Sequence, residues 1–276
     1  MTSVMLATLS ALVWGVADYS GGRASSRVSA LSVTVVSQLL GLPVLVLCLL
    51  LIPGVATGTD LAWGASAGLA GVLGIIALYR SLSTGAMAVA APTTAVTAAV
   101  VPMAYGLASG ERPSANALVG VVCAVLAIGL VSLGPGGTGR VNTEVVGLAL
   151  LSGALFGVFF ILLAKSSDES GMWPLAAARA ASISLGLVLV FGRGVSLRLP
   201  RPLLGWVATA GVGDIAANAL YLIAARDGLI SVVAPISSLY PVSTVLCALV
   251  LDGERVRPVQ LAGLGLAAAA LVLTAV

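Results

Sequence analysis

The 276 residues contain no histidine, three cysteines and few charges, 13 basic and 10 acidic. Without histidine there is no His-ligated metal or haem site, no Ser-His-Asp triad and no HExxH peptidase. Cys48, Cys123 and Cys247 stand singly in apolar runs, so neither a CxxC redox pair nor a disulfide framework is expected. They read as small packing residues. Charged residues make up 8% of the chain, against about 25% in a soluble domain, too few to coat a water-exposed surface. The net charge of +3 comes from scattered arginines rather than a basic patch, and no nucleic-acid or nucleotide-binding motif occurs. No nucleic-acid partner and no cofactor are expected.

What is plentiful is apolar, 59% of residues, with a mean hydropathy of +1.15. A membrane helix takes about 20 apolar residues. Apolar runs broken by polar or Gly/Pro punctuation give ten spans, near 4–21, 30–52, 61–80, 86–108, 115–134, 144–164, 172–192, 203–223, 229–251 and 258–276. The expected fold is an all-α integral membrane protein of ten transmembrane helices, multi-pass in the cytoplasmic (inner) membrane. No positively charged segment precedes the first run, which reads as a retained helix rather than a signal peptide. The longest hydrophilic interruption, Gly134 to Thr143, is read as a linker over 135–143 between five-helix modules at 1–134 and 144–276.

The two halves repeat each other. Ser10, Trp14, Gly15 and Arg23 align with Ser152, Phe156, Gly157 and Lys165 at an offset of 142, and Tyr79 aligns with Tyr221. After one inserted residue, Pro92 aligns with Pro235, and Gly110-Glu111-Arg112 with Gly253-Glu254-Arg255. An odd number of spans per copy sends the second copy into the membrane from the opposite side. Inverted repeats of this kind recur in secondary transporters, where related bundles rock about a midplane site.

Trp14-Gly15, the run ALYRSLSTGAMAVAAP (Ala77–Pro92), the two Gly-Glu-Arg starts and GLISVVAPISSLYPVSTVLCALVLDGERVRPVQLAG (Gly228–Gly263) together resemble the drug/metabolite transporter superfamily, EamA type. The resemblance spans nearly the whole chain. It implies a central cavity lined by the first four helices of each module, with the fifth and tenth outside. It also implies export of small metabolites such as amino acids, or of amphipathic drugs, with both termini in the cytoplasm. Two departures stand out: the first copy has Pro102 but no proline matching Pro241, and Phe156 replaces the usual tryptophan.

Charges inside a bilayer cost roughly 2.5–3.5 kcal/mol each on insertion scales, so they are candidates by default. Arg179 lies about 10 Å into span seven, and Asp214 about 13 Å from the same face in antiparallel span eight, at roughly 1.5 Å per residue. They are expected to meet, either as a neutral ion pair or as a charged group binding a zwitterion or exchanging a proton. Asp214, Asn218 and Tyr221 share one helix face by i, i+4, i+7 spacing. Val72, Ile76 and Tyr79 are their mostly apolar counterparts. Trp14 and Phe156 read as cavity wall or as packing. Asp18, near the end of span one, is expected to pair at the interface with Arg23 or Arg27.

Pro92, Pro102, Pro235 and Pro241 interrupt spans four and nine, and paired interruptions point to a transporter site. Ser237, Ser238 and Tyr240 are the nearby hydrogen-bonding groups. Glu111 and Glu254 stand at loop-to-helix starts, where a carboxylate favours the helix N-terminal dipole.

The expected partners are a small-molecule substrate, the lipid bilayer, and a proton or counter-solute. A monomer suffices because both modules lie in one chain, and a dimer is also compatible. Two competing readings remain. Gly211-Val212-Gly213-Asp214 matches the GxGD of intramembrane aspartyl proteases, with Asp18 as the required second carboxylate. A channel or scaffold is the other. Loops after odd-numbered spans hold nine arginines and those after even-numbered spans three basic residues, which puts both termini outside by the positive-inside rule. The resemblance implies the reverse.

Overall fold

The computed structural model describes residues 1–82, 87–132, 143–252 and 257–275, with the side chains of residues 79, 82, 87–91 and 275 outside that description. Among the described residues there are no strands and eleven α-helices. They are α1 (Thr2–Ser25), α2 (Ala30–Leu51), α3 (Gly58–Leu82), α4 (Met87–Ala108), α5 (Ala115–Val131) and α6 (Thr143–Ala164). There follow α7 (Trp173–Gly192), α8 (Leu204–Asp227), α9 (Ile230–Ser237), α10 (Tyr240–Asp252) and α11 (Pro258–Ala275). Seven segments among the described residues are long and apolar enough to cross a membrane, while α5 and α11 are apolar but shorter. Large apolar side chains face outward, as at Phe191 (75% exposed) and Val250 (76%), a surface suited to lipid rather than water. The protein is a multi-pass membrane protein. Of the expected linker, residues 135–142 lie outside the described residues, and Thr143 opens α6.

Helices dominate because backbone groups in lipid must find partners within their own segment. Their ends are capped where polar residues allow. Ser114 accepts from the amide of Ala117 at 3.1 Å to start α5. Thr57 and Asp60 cap α3 reciprocally, Asp60 donating its amide to Thr57 Oγ1 (3.2 Å) and accepting from the Thr57 amide (2.9 Å).

The ninth expected span is not one helix. It divides into α9 and α10 around Ser238 and Leu239, because Pro241 brings no N–H and its ring excludes the carbonyl four residues back. By contrast α4 runs unbroken through Pro92 and Pro102. The sequence departure between the copies is thus a real difference in shape.

The largest helix contacts all join the first half of the chain to the second. The pattern survives exchange of the halves: α1 packs on α8 as α6 does on α3, α2 on α8 as α7 on α3, and α1 on α10 as α6 on α4. Helices α5 and α11 pack on each other. Small residues permit two very close crossings. A Cβ on Gly211 of α8 would lie 1.8 Å from the Ser37 carbonyl oxygen of α2, and one on Gly68 of α3 would lie 2.1 Å from that of Ala178 in α7.

Glu111 does not serve the helix that follows it. Its two oxygens accept from the amides of Ile230 (2.9 Å) and Ser231 (2.8 Å), capping α9 in the other half, while Ser114 caps α5. Glu254 lies outside the described residues.

Candidate functional site: a central cavity

A cavity of about 440 Å³ lies inside the bundle, lined by residues of α1, α2, α3, α4, α6, α7, α8 and α10. Among the described residues, neither α5 nor α11 contributes to its wall. One side is aromatic: Trp14, Phe156, Phe159, Phe160 and Tyr240. The Trp14 ring meets Phe160 edge-on at 5.5 Å and Tyr240 at 6.4 Å, the edge-to-face geometry that aromatic quadrupoles favour.

The polar side is built on Asp214. Arg179 pairs with its Oδ2, and its Oδ1 accepts from Trp14 Nε1 at 3.0 Å and from Asn218 Nδ2 at 3.1 Å. Asn218 Nδ2 also donates to the Asp214 carbonyl at 2.7 Å. Arg179 and Asp214 meet because antiparallel helices place them at similar depth, as their counted distances imply. Arg179 Nε and Asn218 Oδ1 are buried without a partner among the described residues. Next to this group, Ser182 of α7 donates to Gln38 Oε1 of α2 at 2.8 Å. Sequence reading passes over Gln38 and Ser182, since single polar residues in apolar helices give no periodic signal; Gln38 in span two is the one clue.

Asp18 lies elsewhere than expected. Helix α1 continues to Ser25, so Asp18 sits seven residues, about 10 Å, inside the helix end. It lines the same cavity as Asp214 and makes no hydrogen bond or ion pair among the described residues. Arg23 pairs instead with Asp252 and donates to Tyr19 Oη at 3.0 Å.

Of the sequence candidates, Trp14, Phe156, Arg179, Asp214, Asn218 and Tyr240 line the cavity. Tyr221, Ser237 and Pro92 do not. Tyr221 shares the face of Asp214 but lies seven residues further along, about 10 Å. There it is wholly buried under Phe160, ring to ring at 4.6 Å, donating its hydroxyl to the Phe160 carbonyl at 2.9 Å. Ser237 is wholly buried in α9 and its hydroxyl has no partner among the described residues. Pro92 is half-buried within α4. The side chain of Tyr79 lies outside the described residues.

The cavity extends toward one face. Its wall includes Gly22 and Ser25 at the end of α1 and Val33 and Thr34 at the start of α2. At the other face the loops are bonded together. Asp60 Oδ1 accepts from the Ser167 amide at 2.8 Å, and Val55 donates its amide to the Glu169 carbonyl at 2.8 Å. Arg226, at the end of α8, donates to the carbonyls of Ser167 (3.1 Å) and Gly171 (2.6 Å) and to Ser170 Oγ (3.0 Å).

Comparison with known proteins bears on this architecture. A solved crystal structure of a protein superposes with a TM-score of 0.81, covering 98% of this chain and 95% of its own, at 14% sequence identity, a likeness of fold alone. No curated protein sequence matches the chain. The profile of the EamA-like transporter family matches twice, over residues 1–133 and again over 144–276. With nearly every residue covered by those two matches, and an all-helical membrane bundle around a central cavity, the chain belongs to the EamA-like transporter family.

Proposed function

We propose that the chain is a secondary transporter that exports small amphipathic metabolites, amino acids among them, by alternating access to the central cavity. The observation that carries this is the cavity of about 440 Å³ that extends to one face while the loops of the other face are bonded together. Ten spans as two inverted five-helix repeats, 1–134 and 144–276, supply the symmetry for a second state, and helix packing that survives exchange of the halves supports that repeat. Trp14, Phe156 and Tyr240 form the apolar wall, and Arg179, Asp214 and Asn218 the polar one; Tyr221 supports the wall from behind Phe160. The driving force is the solute gradient, or exchange for a proton or counter-solute. The setting is the cytoplasmic membrane.

Nothing in the site favours an intramembrane protease. Both oxygens of Asp214 are engaged, by Arg179 on one side and by Trp14 and Asn218 on the other, which leaves no carboxylate free to share a proton with Asp18.

The test is efflux from proteoliposomes loaded with a mixed metabolite pool and read by mass spectrometry. A transporter gives saturable loss of a few solutes, slowed at least about tenfold, or roughly 1.4 kcal/mol, by Arg179→Ala. Flux no faster than from protein-free vesicles would overturn the reading, and non-saturable flux would favour a channel.

A further inference from the structure

We propose that Asp18 is the recognition carboxylate for an organic ammonium group carried on an aromatic or apolar body. The solute of the cavity is then an amphiphilic cation. This rests on the transporter reading above and narrows it.

Three charged side chains line the cavity among the described residues: Asp18 of α1, Arg179 of α7 and Asp214 of α8. Arg179 and Asp214 cancel one another. Asp18 has no cation beside it among the described residues: Arg23, the nearest basic residue along α1, is held by Asp252 and Tyr19 and stacks on Trp206, with its guanidinium 5.4 Å from the ring. The cavity therefore holds one carboxyl group with no cationic partner among the described residues. An ionisable residue within a membrane span is costly and persists where it serves a solute or ion path.

The surroundings of Asp18 suit a cation in two further ways. Trp14 stands one turn before it on the same helix face and, with Phe156, Phe159, Phe160 and Tyr240, offers rings whose negative faces attract ammonium groups. Asn218 Oδ1 is an acceptor with no partner among the described residues, in a side chain that is 1% exposed. An anion would find a less favourable site. Arg179 retains an unpartnered Nε, but an anion approaching it meets two carboxylates and a single guanidinium.

Three probes with the same phenylethyl body separate the cases: phenethylammonium (cation), phenylalanine (zwitterion) and 3-phenylpropionate (anion). Binding to the full chain in detergent is measured by equilibrium dialysis, and flux of each probe in proteoliposomes. The expected result is that phenethylammonium binds at least about tenfold more tightly than the other two. Asp18→Asn abolishes that preference with melting temperature and monodispersity retained, and Asp18→Glu keeps it. Equal binding of phenethylammonium by Asp18→Asn, or preference for either other probe, would overturn the proposal. If Asp18→Asn fails to fold, competition among the probes on the unaltered chain decides. Saturable transport of phenylalanine unaffected by Asp18→Asn would leave a transporter and remove the cation site. Asp18-dependent cation binding without transport of any probe would do the opposite.

Discussion

Trp14 of α1 donates its indole N–H to Asp214 of α8 at 3.0 Å, on the oxygen that Arg179 of α7 leaves free. One carboxylate thus holds three helices at the cavity wall. The arrangement also makes Arg179, only 8% exposed, dependent on Asp214 for its charge balance.

Removing one member of that pair should cost more than removing both. Asp214→Asn leaves a buried guanidinium unpaired and should destabilise by about 3 kcal/mol, the low end of the range for breaking a buried pair, because the Asp214 side chain is 36% exposed to the cavity. Arg179→Met with Asp214→Leu should recover most of the loss. Thermal unfolding of the three proteins in one detergent checks the order; a double variant no more stable than Asp214→Asn would contradict it.

Glu111 reaches across from the α4–α5 loop to close the N-terminus of α9 with two charge-assisted hydrogen bonds. Glu111→Ala leaves both amides without their acceptor and should cost roughly 1–3 kcal/mol. Hydrogen exchange locates the effect: Ile230 and Ser231 should lose protection, while Ala117, capped by Ser114, should not. Loss at the start of α5 instead would assign Glu111 to its own helix.

The face toward which the cavity extends also carries the arginine-rich loops, which the positive-inside rule would place in the cytoplasm. Ser25→Cys, in a chain with the three native cysteines changed to alanine, should then resist a membrane-impermeant maleimide on intact cells and react after permeabilisation. Labelling of intact cells would place both termini in the cytoplasm, as the family resemblance implies.

Helical periodicity and span length suffice to place most of the elements, because lipid leaves the backbone few other choices. Arg179 and Asp214 were legible for the same reason: depth along a straight helix is arithmetic. Asp18 was not, since the polar Asp18–Arg27 stretch looks like a span end while α1 continues in helix to Ser25. Tyr221 shows the limit of face counting. Residues of one face follow the cavity only as far as it extends, and Phe160 closes it before Tyr221. The division of the ninth span followed from chemistry at Pro241, whereas nothing in the sequence around Glu111 indicated a partner 119 residues away.

The crossings at Gly211 and Gly68 bring backbone against backbone. Each joins one half of the chain to the other, α2 to α8 and α3 to α7, and residues beside each crossing line the cavity. A helix pair that meshes by knobs in holes must unmesh to slide, and so moves in steps; a smooth seam has no steps. Shear along these two seams would change the width of the cavity, and a Cβ added to either glycine would act as a wedge in the track.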